Sequence, residues 1–450
     1  MSRKNLQHIT LINTKEKVTQ TLDDDLVYTS DVLEDVQHLD FAAGIPPFLR
    51  GISSTMYLTS PWKNLKLDTP KNCEEYNLFL KTQFKAGQRQ FLLDFKSLIN
   101  LETLSDFKTI FKDISLNECV FFIKNNNQAI PTLAFLVVLA ESQSIKPDTL
   151  KGGFYINVTK HELHTHTLNV DALIFSNSLL PNFNKIEISG HHNNTTAPEI
   201  ELTCMLISGY NFLKKGLDSG ILIDNIAKRI SFNLSIGLHH FTEIAKLRAA
   251  RLVWSKLVKT FNPKQDHALA LHINTVIQPS SSLNTCDTLT QITLQTTTAI
   301  FGGVQSISQP KLTHDSHKNV PLYLQKETQI IRTIDPWGGS FYVEKQTHDI
   351  AIKTWNLFET YLKTGQYPDL IQDRQPLRDT SKSIYKSEVN ALNNTFTAHD
   401  QKAVKLALLN LKKHINDTPE NILKLCISAV KKQATLSEIL NNLSQLSNEN

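Results

Sequence analysis

Residues 230–261 read Ile230-Ser-Phe-Asn-Leu-Ser-Ile-Gly-Leu-His-His-Phe-Thr-Glu-Ile-Ala-Lys-Leu-Arg-Ala-Ala-Arg-Leu-Val-Trp-Ser-Lys-Leu-Val-Lys-Thr-Phe261. Ile230–Ile236 is a short apolar run of strand length. From Thr242 to Phe261 the pattern changes. Ile244, Leu247, Leu252, Val253, Leu257 and Val258 return near a 3.6-residue period, with Lys246, Arg248, Arg251 and Lys256 largely off that stripe. A strand of this kind followed directly by a helix is the unit of a parallel sheet covered by helices.

The same alternation extends in both directions. Candidate strands are Gln90–Asp94, Cys119–Ile123, Phe154–Val158, Ala172–Phe175, Lys185–Ser189, Ala268–Asn274 and Val304–Ser308. Candidate helices are Leu133–Ser142, Glu201–Leu217 and Thr288–Ile300. About eight strand-helix repeats predict an α/β fold in the form of a closed (β/α)₈ barrel, with an open doubly wound sheet as the alternative that periodicity leaves standing. The predicted divisions are an N-terminal arm over 1–43 for subunit contact, the barrel over 44–363 and a C-terminal helical segment over 364–450. Strand signals stop near residue 345. Residues 345–363, Asp400–His414, Pro419–Lys432 and Ser437–Leu446 read as helices, and Thr418-Pro419-Glu420 as a helix start.

The chain has 450 residues, 40% hydrophobic and 20% charged, enough for a large core. Its 47 Lys and Arg against 43 Asp and Glu leave a net charge of +4, without the clustered bases that a nucleic-acid or membrane partner requires. The pairs Lys214-Lys215, Lys412-Lys413 and Lys431-Lys432 read as solvated helix faces. Five scattered cysteines, with no CxxC, argue against a disulfide framework or a zinc site; Cys119, Cys204 and Cys426 read as core. The longest apolar block, Leu133–Ala140, is far short of the ~18 residues of a membrane span. The N-terminus carries no apolar stretch of signal length. A soluble, cytoplasmic protein is expected.

Three motifs invite chemistry. Asp335-Pro-Trp-Gly-Gly-Ser-Phe-Tyr-Val-Glu344 combines a rigid proline with two glycines, which suits either a ligand loop or, the better-supported reading, a tight turn leaving the barrel. His161, His164 and His166 form HxxHxH, one residue short of the HExxH zinc spacing. In His191-His192 and His239-His240 one ring of each pair could enter a barrel rim, although a satisfied polar residue there is commoner. Gly302-Gly303 reads as a helix stop. No GxSxG, P-loop or paired-carboxylate pattern is present. By residue chemistry alone, the sequence predicts a barrel without an evident catalytic group.

Several segments resemble the methylmalonyl-CoA mutase family. Gly44-Ile-Pro-Pro-Phe-Leu-Arg-Gly-Ile-Ser-Ser-Thr-Met-Tyr-Leu-Thr-Ser-Pro-Trp62 is close to its PPxxRG…TMY…PW. Ile188-Ser-Gly-His-His192, Phe241-Thr-Glu-Ile-Ala-Lys-Leu-Arg-Ala-Ala-Arg-Leu-Val-Trp254, Phe301-Gly-Gly-Val-Gln-Ser306 and the DPWGGSFYVE stretch follow in the family's order. The resemblance implies a TIM-type barrel that carries acyl-CoA along its axis, and adenosylcobalamin chemistry interconverting succinyl-CoA and (R)-methylmalonyl-CoA.

The departures are as informative. Leu67 stands where active chains have a tyrosine that contacts the acyl group. No arginine occurs between Arg89 and Arg229, where those chains pair one with the substrate carboxylate. His192 matches the family's catalytic histidine, but its neighbouring Tyr is His191 here, the following Gln-Glu is lost, and the Gly-Trp of the loop after His272 is missing. His192 is then a relic, and no residue is assigned a catalytic, cofactor or metal role. The DxHxxG pattern of the cobalamin-binding domain is not in the sequence. The resemblance therefore implies a small subunit, inactive alone, whose large-subunit partner binds the adenosylcobalamin. An active barrel served by a separate cobalamin-binding protein, or a CoA-thioester binding module, are the other readings. Phe154, Tyr155 and Phe232 are candidates to fill the barrel axis.

Overall fold

The computed structural model describes residues 30–67, 70–95, 98, 101–124, 128–157, 174, 178–190, 197–277, 285–309, 319–368, 401–414 and 418–444. The strands are β1 Lys63–Lys66, β2 Gln90–Leu93, β3 Val120–Lys124, β4 Lys151–Asn157, β5 Phe183–Ser189, β6 Ile230–Ile236, β7 His272–Ile277 and β8 Ser306–Gln309. They form one eight-stranded sheet ordered β1-β8-β7-β6-β5-β4-β3-β2, parallel at every pairing. Parallel neighbours require a crossover, and helices supply it. The described crossover helices are α1 Cys73–Lys85, α2 Leu104–Ile110, α3 Ala129–Ser142, α4 Pro198–Asp218, α5 Ile223–Ala227, α6 His240–Lys259 and α7 Thr285–Phe301. This is the predicted (β/α)₈ TIM-type fold.

Among the described residues β1 and β2, at the two ends of this order, share no backbone ladder with each other, and the side chain of Gln88 bridges them. Its Oε1 accepts from the Lys66 N–H at 2.9 Å. Its Nε2 donates to the carbonyls of Lys66 at 3.4 Å and Gln90 at 2.8 Å. A buried glutamine thus satisfies strand-edge groups that water would otherwise have to reach.

Two expected strands are corrected. Ala172–Phe175 does not supply the eighth strand: Ile174 is helical, and the rest of that stretch lies outside the described residues. The eighth strand is Lys63–Lys66, whose one apolar residue among four hid it from a hydrophobicity reading. The strand expected at Ala268–Asn274 begins only at His272. Residues Asp266–Leu269 form a 3₁₀ turn, and Ala268 and Leu269 are apolar because α5 and α6 bury them.

After β8 the chain forms α8 Val320–Glu327 and α9 Phe341–Thr364, then α10 Gln401–Lys413, α11 Pro419–Lys431 and α12 Leu436–Ser444. Helix α9 lies across α4 and α6. Lys246, Arg248 and Arg251 are completely buried although they fall off the apolar stripe of α6, and α9 supplies Glu344 against Arg248. Helices α11 and α12 cover α3, with Lys431 on Glu141 at 2.7 Å. Covered by the barrel on one side and these helices on the other, α3 is apolar all round, and Ala129–Ala140 is buried without interruption. Thr418 precedes α11 with extended backbone, but its side chain makes no capping bond. Among the described residues no helix is long and apolar enough to cross a membrane.

Strand alternation assigns the two faces. The ring of Phe232 packs on Trp254 of α6 at 5.3 Å, so the row with Ile230, Phe232 and Leu234 faces the helices. Phe154 is in register with Ile186, which pairs with Ile230, and shares that outer face. The opposite row, containing Tyr155, Glu187, Ser231, Asn233 and Asn274, faces the axis.

Gln88→Ala should destabilise the chain by about 1–3 kcal/mol by leaving strand-edge groups unpaired, and the Lys66 amide should exchange faster. Urea unfolding and amide hydrogen exchange test this; an unchanged Lys66 protection factor would show that Gln88 does not close the seam.

Candidate functional site

The barrel axis is the first place to look for a site, because strand alternation aims one side chain in two toward it. Strands β1 to β3 contribute Leu65, Leu92 and Phe122. Strands β5, β6 and β8 contribute the small polar residues Ser189, Ser231, Asn233, Ser235, Ser306 and Ser308. The axis therefore has an apolar wall and a hydroxyl- and amide-bearing wall. Of the three aromatics expected to fill it, Phe154 and Phe232 point outward and only Tyr155 enters. Its hydroxyl donates to Ser189 Oγ at 2.7 Å and accepts from Asn233 Nδ2 at 3.0 Å. On β7, Asn274 accepts from Ser306 Oγ at 2.6 Å.

Two groups in this lining stand out energetically. Asn233 is 4% exposed, and its Oδ1 has no hydrogen-bond partner. A buried acceptor left so costs about 1–3 kcal/mol. Glu187 is 6% exposed. Burial pushes its carboxyl up to about 7, against the opposing influence of the Asn274 amide and the Lys185 charge. Toward the N-terminal ends of the strands lie Lys63, Lys151, Lys185 and His272. Lys185 is held below its usual value by desolvation first, then by the charges of Lys63 and Lys151. His272 is lowered by desolvation first, then by Lys185, His267 and Lys63.

Leu67 continues β1 past Lys66, its N–H donating to the carbonyl of Gln309 at 2.8 Å. Its half-buried side chain offers no hydrogen bond. His161, His164, His166, His191 and His192 lie outside the described residues. His240 opens α6 and turns away from the axis. Its Nδ1 meets Thr298 Oγ1 of α7 at 2.6 Å, its ring packs near Phe241, Phe301 and Trp337, and burial lowers its pKa. The rim-histidine reading of that pair resolves as packing.

The most distinctive sequence motifs meet outside the barrel, between α6, α9 and residues 38–57. Glu344 of α9 accepts from Arg248 Nη2 at 2.6 Å and lies 2.8 Å from His38 Nε2; Gly339 N–H donates to its other oxygen at 2.8 Å. Asp335 pairs with Arg248 and, at 3.3 Å, with Arg50. Arg251 donates to the carbonyls of Leu49 at 3.0 Å and Gly303 at 3.4 Å. The hydroxyl of Tyr57 donates to the carbonyl of Val304 at 2.8 Å. The two glycines of DPWGG do different things. A side chain on Gly338 would strike Arg50, its Cβ falling 1.9 Å from Nη1, whereas Gly339 adopts a φ of +88°. Nearby, Lys246 is fully buried between Glu201 at 3.0 Å and Glu243 at 2.7 Å, and Trp254 fills a groove that a side chain on Gly209 would close. DPWGGSFYVE is thus a turn, as expected, and also an electrostatic anchor.

The family model described as methylmalonyl-CoA mutase matches residues 17–98, 96–386 and 366–449. The chain belongs to the methylmalonyl-CoA mutase family. It is 28% identical to the methylmalonyl-CoA mutase large subunit of Porphyromonas gingivalis (strain ATCC BAA-308 / W83), over 92% of this chain and 69% of that protein. It is 27% identical to the large subunit of Propionibacterium freudenreichii subsp. shermanii, over 93% and 70%. It is 25% identical to the methylmalonyl-CoA mutase of Escherichia coli (strain K12), over 92% and 69%. The chain thus spans about seven-tenths of the length of these mutases.

For a mutase-family chain, the question is whether the described residues could hold a corrin. No three His, Cys, Asp or Glu side chains among them gather as a ligand set. His38 is engaged by Glu344 and His240 by Thr298, and His272 sits at the barrel mouth. Sequence reasoning missed the axial pair Asn233 and Glu187. The available signal was one polar residue between apolar neighbours in Ile186-Glu187-Ile188 and Phe232-Asn233-Leu234, which on a barrel strand points to the axis.

Two carboxylates should show opposite pH signatures. Glu344 is held at about 2: burial would raise it, but the His38 hydrogen bond and the Arg248 charge prevail. Its contribution is present above the unfolded value of 4.5 and is lost as pH falls toward 2. Glu344→Gln should cost about 3–5 kcal/mol at pH 7, a gap that narrows in acid. Equal loss at pH 7 and near pH 3 would refute the ion-pair account.

Glu187 has the reverse sign. Its folded value near 7 exceeds the unfolded 4.5, so the ionised form weakens the fold progressively between those values. Glu187→Gln should be more stable than the parent by up to about 3 kcal/mol at pH 8 and by much less at pH 5. Urea titrations at the two pH values measure the gap; a pH-independent difference would contradict burial of the charge.

Proposed function

We propose that this chain is the non-catalytic small subunit of an adenosylcobalamin-dependent methylmalonyl-CoA mutase. Its large-subunit partner binds the cofactor and interconverts succinyl-CoA and (R)-methylmalonyl-CoA. Leu67 carries this reading. It extends β1 at the strand's C-terminal end, where barrel enzymes place their reacting groups, and it offers a hydrocarbon where an active chain offers a phenol. The 139-residue stretch between Arg89 and Arg229 without an arginine supports it, since bidentate carboxylate recognition has few substitutes. The motifs that most resemble the family supply its buried scaffold contacts, which a supporting subunit also needs. A lasting subunit interface should bury more than about 2,000 Å².

A second reading, that the barrel still takes a CoA thioester along its axis, is favoured by Asn233 Oδ1. This buried acceptor without a partner suits the N–H of an amide-bearing ligand.

Co-expression with the large chain encoded beside it, then size-exclusion chromatography and mutase assays, tests the first reading. The expected result is a stable 1:1 complex with activity in the pair and none in this chain alone. Turnover by this chain with only adenosylcobalamin and a separate cobalamin-binding protein would refute it.

A further inference from the structure

We infer that the recess between Arg50 and Arg251, on the flank of the barrel, binds a small inorganic monoanion of chloride size. The ion completes the charge balance where residues 50–57 pack on α6.

Three guanidiniums, those of Arg50, Arg248 and Arg251, gather here around two carboxylates, Asp335 and Glu344. Arg248 takes one oxygen of each, Asp335 Oδ1 and Glu344 Oε2. Arg50 takes the other two, Asp335 Oδ2 at 3.3 Å and Glu344 Oε1 at 3.5 Å. All four carboxylate oxygens are therefore engaged by Arg248 and Arg50. Among the described residues Arg251 forms no ion pair with a carboxylate. It donates to the carbonyls of Leu49 and Gly303, dipoles that soften its charge without cancelling it. Arg251 is 1% exposed. Burial and then the charge of Arg248 lower its pKa, against Asp335 and Tyr57, but only to about 10, so it is cationic at neutral pH. His38, on Glu344, brings no negative charge in either protonation state. One positive charge is thus in surplus where water solvates it poorly, a costly arrangement unless a counter-charge is supplied.

Space for that counter-charge adjoins the surplus. A recess of about 320 Å³, partly open to solvent, is lined by Arg50, Tyr57, Arg251, Gly303, Ile334 and Asp335 among others. Its floor has room for a particle about the size of one water. Gly303 leaves the guanidinium of Arg251 uncovered on this side: a Cβ there would lie 3.2 Å from Nη2. Arg50 adds a donor, its Nε, which is buried and has no hydrogen-bond partner. Asp335 is the one carboxylate in the lining, and Arg248 and Arg50 neutralise it. The site therefore offers positive charge, few donors and little room. That suits a monatomic, weakly hydrated anion better than phosphate, which needs several donors and a second charge matched. Such an ion would tie residues 50–57, α6 and residues 330–336 together, and by mass action it would stabilise the folded chain.

The test is thermal unfolding of the full chain as chloride is raised to about 200 mM, with gluconate, too large for the recess, keeping the ionic strength constant. Tm should rise saturably by about 2 °C, and bromide should act like chloride. Arg251→Gln should abolish the difference between chloride and gluconate. As a second measurement on the unmutated chain, independent of whether that variant folds, crystals grown in bromide should show an anomalous scattering peak between Arg50 and Arg251. Equal Tm in chloride and gluconate overturns the inference, leaving only general screening. So does a full chloride effect in Arg251→Gln, which would place the ion elsewhere, or a recess that holds water alone in the bromide crystals. A bromide peak without any thermal effect in solution would mean an adventitious ion only, and overturns it as well.

Discussion

The buried pairing of Arg248 with Glu344 and Asp335 is the contact on which the outer architecture depends. A guanidinium and two carboxylates removed from water are tolerable only together, because the loss of one partner leaves a charge with no solvent to screen it. Satisfying them fixes where α9 crosses α6 and how the turn at 335–340 leaves the barrel. Through His38 and Arg50 it also fixes how residues 38–57 lie along the barrel's flank. Arg251 and Tyr57 extend the arrangement by donating to backbone carbonyls at the end of α7 and just before β8. Such a set of paired groups specifies one packing out of several that hydrophobic burial alone would allow.

Inside the barrel a different rule holds. The outer rows of β2 to β7 are nearly all apolar and buy the burial that closes the sheet. The inner rows of β5 to β8 are largely small and polar, a poor choice for a filled core and a good one for a wall that meets water or a ligand. Tyr155 does not plug this space. It ties β4, β5 and β6 together through Ser189 and Asn233. In this lining Asn233 Oδ1 is left without a partner, while Glu187 is a buried carboxyl held by the Asn274 amide. The scaffold of a mutase barrel and an unusual axial lining coexist because they are built from opposite faces of the same strands.

The sequence by itself determined a parallel sheet covered by helices, and left its closure into a barrel to the tertiary structure. The apolar runs and helical stripes of Ile230–Phe261 and their repeats follow from burial at periods of two and 3.6, which survive translation into structure whatever the details. It also determined the family, through motifs whose residues are needed for buried pairing and close backbone approach: Gly338 because Arg50 lies against it, Glu344 because Arg248 requires a counter-charge. The helix stop at Gly302-Gly303 and the buried cysteines follow from equally local rules.

Tertiary structure alone decided the rest. Lys63–Lys66 is a strand because β8 offers it a ladder, not because its residues prefer one. Lys246, Arg248 and Arg251 lie in the interior although hydrophobic periodicity assigns them to solvent: Lys246 meets Glu201 and Glu243, Arg248 meets Asp335 and Glu344, and Arg251 donates to the carbonyls of Leu49 and Gly303. Tyr155 enters the axis while Phe154 and Phe232 leave it because the face of a strand is set by register with its neighbours. A side chain's charge or hydrophobicity is local, but whether that charge meets water, a counter-charge or neither depends largely on residues brought in from elsewhere in the chain.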